Sequence, residues 1–244
     1  MTDPKDPQKQ MQQALGNWIR KLDDVQGWRE WKRAQIGYTL RFDDEILPAE
    51  PALGNFEFDG KIDKQHAVLM AYLELVSTLN SLRDVEWYFR RFPFSSAPVT
   101  KDSHLRHSCE LYFAKFYQFR ERLKKLSTAV KEAVPDNNLD FGRFIKSYDL
   151  EFDAEIRERH GMHHNAGFDD VGISRIALFE TLSLADDFPF AVEAQREHYR
   201  KASREWAARC RRRAVSMSKF LDAVAVSLLD VCPFLTVDEP RQPK

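Results

Sequence analysis

Apolar residues recur at helical spacing through most of this chain. Leu15, Trp18, Ile19, Leu22 and Val25 keep steps of three and four from about Gln12, with Trp28 and Trp31 extending the face, which predicts an amphipathic helix. Residues 1–10, charged and rich in Pro and Gln, are expected to be disordered. Tyr38–Phe42 and Phe56–Phe58 alternate as strands do, and Asp59-Gly60 is a tight-turn signal. Leu47-Pro48-Ala49-Glu50-Pro51 between them cannot be regular helix. Residues 34–62 therefore read as an irregular or small β-hairpin attachment.

Three longer helices are predicted next. The first, Lys64–Phe92, carries Val68, Ala71, Tyr72, Leu75, Leu79, Leu82 and Trp87 and stops at Pro93. The second starts near Asp102 or Ser103, runs to about Val134, and has a clean seam of Leu105, Cys109, Tyr112, Phe116, Phe119, Leu123 and Leu126. The third runs from about Leu139 into a cluster of histidines, and Gly167 follows its end. Gly172–Leu184 is short and apolar, either a strand pair or a helical turn. Asp187 before Phe188-Pro189 opens a stretch without a breaker up to Val231. At about 1.5 Å per residue this would span about 60 Å, so a kink or two helices are expected. The fold class is mainly α: an up-and-down helical bundle, residues 63–235, with an N-terminal helix plus irregular or hairpin segment over 11–62 and disordered tails at 1–10 and 236–244.

Composition agrees with this class, since 43% hydrophobic and 31% charged residues with only 9 Gly suit a soluble helical protein. The net charge of −1 excludes a whole-molecule field that attracts nucleic acid, so such a partner needs a local basic patch. One exists. Between Arg196 and Lys219 nine Lys and Arg face only Glu197 and Glu205. Arg200, Arg204 and Arg211 share one helix face, and a solvated face paired with acidic patches would look the same. Cys109, Cys210 and Cys232 are odd in number and lack CxxC spacing, which points to reduced thiols in a cytoplasmic protein. Met1–Gln10 has no apolar signal core, and Ala223–Leu235 is too short and polar to span a bilayer, so no membrane association is expected.

The richest chemistry lies in Glu155–Asn165, which reads Glu-Ile-Arg-Glu-Arg-His-Gly-Met-His-His-Asn. On an unbroken helical wheel, Phe141, Ile145, Tyr148, Phe152 and Ile156 form a stripe that His160 and His163 continue, with Arg159 and His164 beside it. These groups would then face a neighbouring helix or a cleft. Arginine and histidine also suit a helix C-terminus, where they complement the dipole and bond free carbonyls. A metal site is disfavoured: the residues between His160 and His164 are Gly-Met-His, and no Glu-x-x-His occurs in the chain. No glycine-rich phosphate loop occurs either, which excludes P-loop nucleotide hydrolysis.

Arg159-His160-x-x-x-His164, in a context of long helices over roughly residues 64–232, resembles the motif of the HEPN superfamily (higher eukaryotes and prokaryotes nucleotide-binding domains). Its members are small helical bundles, many of them metal-independent ribonucleases. The resemblance implies an endoribonuclease, toxin or defence effector that needs no cofactor, acts on RNA or a nucleotide, and pairs as a homodimer. His164 would be the base for the 2′-hydroxyl, Arg159 the phosphate clamp, and His160 an orienting or donating group. Arg157, His163 and Asn165 would contact substrate, as would Arg200, Arg204 and Arg211. His163 offers a second register for the histidine. Some members of the superfamily are non-catalytic modules, which leaves a helical module binding a protein partner or nucleotide as the alternative.

Overall fold

The computed structural model describes residues 6–39, 54–91, 99–164, 168–185 and 187–237; the side chains of Thr39, His163 and His164 lie outside the described set. The described residues form eight α-helices and no strand: α1 (Pro7–Lys21), α2 (Trp28–Thr39), α3 (Gly60–Arg90), α4 (Lys101–Ala133), α5 (Phe141–Glu151), α6 (Asp153–His164), α7 (Val171–Leu182) and α8 (Ala191–Val231). The chain is thus mainly α, a helical bundle, as its apolar periodicity predicts. It divides into two compact units. One comprises residues 1–70, 128–139 and 222–244, the other residues 71–127 and 140–221.

In the first unit, α1 starts earlier than expected. Asp6 accepts from the Gln8 and Lys9 amides at 3.1 and 3.3 Å, so residues 7–10 are helical rather than disordered. Asn17 donates to the Thr236 carbonyl at 2.9 Å, and Trp18 donates to Gln65 at 2.9 Å. Gly27, with φ +81°, turns the chain from a short 3₁₀ segment (Leu22–Asp24) into α2. Tyr38 lies in α2 and not in a strand, while residues 40–53, including Leu47–Pro51, lie outside the described set. Phe56–Phe58 is irregular. Both of its phenylalanines pack on Trp28, with ring centroids 5.3 and 5.2 Å away, so the alternation reflects an aromatic cluster instead of a pleat. Asp59 is a helix cap rather than a turn residue: its carboxylate accepts from the Lys61 and Ile62 amides at 3.0 and 2.8 Å and starts α3.

The second unit holds the candidate chemistry. The seven-residue seam predicted on α4 is buried throughout. Thr100, and not Asp102 or Ser103, caps α4, its hydroxyl accepting from the Ser103 amide at 3.4 Å. Arg122 of α4 donates to the Glu74 carbonyl of α3 at 2.9 Å, and His104 of α4 meets the Tyr88 carbonyl at 2.7 Å, which sets these helices antiparallel. Gly172–Leu184 is mostly helix, because Asp170 caps α7 by accepting from the Ile173 amide at 3.0 Å. Of the two outcomes expected after Pro189, the division into two helices does not occur. With no Gly or Pro between Ala191 and Val231, α8 runs unbroken for 41 residues.

The helix expected from Leu139 through the histidines is also revised. It bends at Phe152, whose φ and ψ are −114° and 21°, dividing α5 from α6. Arg213 of α8 packs against this bend. Its guanidinium lies 4.5 Å from the centroid of the Phe152 ring and donates to the Glu151 carbonyl at 2.5 Å.

Candidate functional site

The buried stripe of α5 continues past the bend into α6 through a polar residue. Tyr148 and Phe152 are fully buried, as the wheel predicts, but the next inward position is Glu155, only 3% exposed. Its carboxylate accepts from Tyr112 at 3.1 Å, from Arg209 at 3.3 Å and from Arg213 at 2.9 Å. Two guanidinia and a phenol thus replace the water the carboxylate loses on burial. Burial, and then the neighbouring Glu155 carboxylate, push the Tyr112 phenol well above its ordinary range, so it remains a donor. Arg209 also lies over Trp206, with 4.9 Å to the ring centroid. Periodicity marked Phe152 and missed Glu155. The available signal was a carboxylate three residues after Phe152 and seven after Tyr148, on the core stripe, with Arg209 and Arg213 spaced i,i+4 to meet it.

Arg159 is the proposed phosphate clamp. Its guanidinium sits over the ring of Tyr117 on α4, 3.8 Å from the centroid, and has no carboxylate partner among the described residues. A cation held by a ring face keeps its N–H donors available for an anion. His160 is exposed, which corrects its expected position on the core-facing stripe: eight residues after Phe152, it lies about 80° from that side chain, at the edge of the stripe. Arg157 is exposed and paired with Asp153 at 2.8 Å. The side chains of His163 and His164, and all of Asn165, lie outside the described residues. Among the described residues no group of three or more His, Cys, Asp or Glu side chains is arranged to hold a metal ion.

The basic segment of α8 divides into two populations. Arg209 and Arg213 are taken up by Glu155, so they are structural rather than a solvated face. Arg200 and Arg204 are exposed without a carboxylate partner among the described residues, and Arg211 is exposed but paired with Glu86 at 2.6 Å. A groove of about 480 Å³ lies between the start of α7 and α8, with Asp169, Asp170, Arg175, His198 and Lys201 in its walls. These charges are of both signs, so the groove has no strong preference for an anion.

All three cysteines are free and buried. Burial pushes the thiols of Cys210 and Cys232 up to about 12, and burial followed by Asp170 pushes Cys109 higher still. The arginines flanking Cys210 do not activate it, because its Sγ points inward to the Leu82 carbonyl at 3.2 Å. At pH 8 the folded protein is expected to resist iodoacetamide, with three carboxamidomethyl groups added only after unfolding. Native labelling of Cys210, read by mass spectrometry, would contradict this burial. No described helix is long and apolar enough to cross a membrane. No family model, curated protein sequence or solved structure matches the chain.

Proposed function

We propose that the chain is a metal-independent endoribonuclease of HEPN type, with Arg159 as phosphate clamp and His164 as base. The observation that carries the reading is the seating of Arg159: held on Tyr117 at 3.8 Å without a carboxylate partner among the described residues, it is a fixed cation with donors to spare. Arg209 and Arg213, committed to a buried carboxylate, have no such freedom. In the cleavage step, the base removes the proton of a 2′-hydroxyl, whose oxygen bonds to the adjacent phosphorus. The bond to the 5′-oxygen breaks, and that oxygen takes a proton, leaving a 2′,3′-cyclic phosphate and a 5′-hydroxyl. Arg159 stabilises the extra negative charge on the phosphate oxygens as the oxygen attacks. The same resemblance pairs two chains, so that two motifs would share one cleft.

Purified protein is expected to cleave RNA in the presence of a chelator. Arg159→Ala and His164→Ala are each expected to reduce the rate at least about a hundredfold, the scale of losing one charge-stabilising or proton-transfer group. Cleavage that survives in both variants, or that vanishes with the chelator, would reject the mechanism.

One observation favours a second reading, a non-catalytic module that binds a protein. Val171, Leu178 and Leu184 are exposed along α7 and the turn after it, and Phe190 is exposed just before α8. Absence of cleavage at any chelator concentration, with Leu178→Asp tolerated in the folded protein, would favour this reading.

A further inference from the structure

The solvent side of the seam between α3 and α8 combines an exposed aromatic ring with arginines from both helices. The helices run antiparallel here: Cys210 bonds the Leu82 carbonyl, and Ser203 bonds the Phe89 carbonyl. Trp87 does not join this core, although its spacing on α3 reads as apolar-face. It is 57% exposed. Arg90 and Arg91 each lie 5.9 Å from the centroid of its ring. Glu86 is shared between Arg90 at 2.5 Å and Arg211 of α8 at 2.6 Å, so one carboxylate offsets two guanidinia. Arg83 bonds Ser218 at 3.3 Å and, with Arg211 and Lys219, lines a recess of about 220 Å³. Arg204 continues the basic strip one helical step of seven before Arg211.

A large ring left in water beside several guanidinia has the two elements of sequence-tolerant single-strand recognition. The ring face stacks a base, and the cations hold the adjoining phosphates. A duplex hides its base faces within its own stack and would use only the cations. We propose that the α3–α8 seam binds single-stranded RNA, with Trp87 stacking on a base and Arg83, Arg204 and Arg211 contacting phosphates. The choice of RNA as the polyanion rests on the function proposed above; the binding surface does not depend on the cleavage chemistry.

The test is fluorescence anisotropy with a labelled 12-nucleotide 2′-O-methyl RNA, which lacks the attacking hydroxyl. Trp87→Ala is expected to weaken binding roughly tenfold, within the range for one base–aromatic stack, while Trp87→Phe retains most of it. Arg204→Ala should weaken both the single strand and a duplex of equal length, and reduce the slope of log K against log salt by about 0.7. Circular dichroism checks that the variants, which alter exposed side chains, remain folded. The proposal is overturned if Trp87→Ala binds like the parent, or if the duplex or polyglutamate binds as tightly as the single strand. Cleavage of unmodified RNA keeps the two ideas apart. Binding through Trp87 without cleavage would reject only the catalytic reading. Cleavage that needs Arg159 and His164 but is indifferent to Trp87 would reject only the seam.

Discussion

Replacing Glu155 with alanine is expected to lower the free energy of unfolding by about 3 kcal/mol, measured by urea denaturation. Breaking a buried ion pair by removing one partner typically costs about 3–5 kcal/mol, because the remaining charge stays desolvated. The low end applies here. The side chains of Arg209 and Arg213 are 38% and 22% exposed, so both can regain some water. Glu155→Gln keeps the shape and one acceptor oxygen, and should cost less than the alanine variant. Glu155→Leu combined with Arg209→Met and Arg213→Met should recover part of the loss, since neither guanidinium is then left without its carboxylate. A loss below about 1 kcal/mol for Glu155→Ala would mean that the two guanidinia rehydrate almost completely and that the carboxylate does little to hold α6 to α8.

Phe152→Ala is expected to have an effect of similar or greater size, about 3–5 kcal/mol, as for other fully buried phenylalanines. The ring has no exposed surface and packs on Tyr148 and Phe116, with centroids 4.6 and 5.2 Å away. It also carries Arg213 on its face. Losing it removes packing and leaves that guanidinium without its seat at the bend. Phe152→Leu should retain more than half of the stability, because it keeps apolar volume at the bend. Hydrogen exchange gives the local signature: amides of α6 should lose protection before those of α4. Equal loss across both helices would show that Phe152 acts through the core alone and not through the bend.

The parts of the fold that were legible in the sequence are those where apolar spacing alone decides the outcome. The α4 seam is the clearest case, every predicted position being buried. Less legible were features set by a side chain reaching back to its own backbone or across to another helix. Asp59 reads as a turn residue in sequence, yet it caps α3. The length of α8 suggests a division into two helices, but length by itself supplies no helix breaker. The candidate site shows the same limit. Arg159 and His160 are identifiable in the sequence as a chemical cluster, while the seat of Arg159 on Tyr117, about 40 residues earlier in the chain, is a contact between helices that spacing within one helix does not reveal. Trp87 reads as core because it is apolar, but its position falls outside the arc that Leu79, Leu82 and Val85 define. Arg209 and Arg213 are indistinguishable from the other arginines of this segment in the sequence, since neutralisation by a buried carboxylate leaves no trace in a charge tally.

The bend at Phe152 also sets what changes of chain length this region can accept. One residue added or removed between Phe152 and Arg159 turns everything beyond it by about 100° and shifts it by about 1.5 Å. Placed before Glu155, such a change would swing its carboxylate away from Arg209 and Arg213; placed after it, the guanidinium of Arg159 would leave the face of Tyr117. An insertion of a whole turn would restore direction but move Arg159 more than 5 Å along α4. Substitutions at the exposed positions of this interval, Ala154, Arg157 and Glu158, can therefore be absorbed one at a time, whereas insertions and deletions should not be, and related chains that share the site should differ here in letters but not in count.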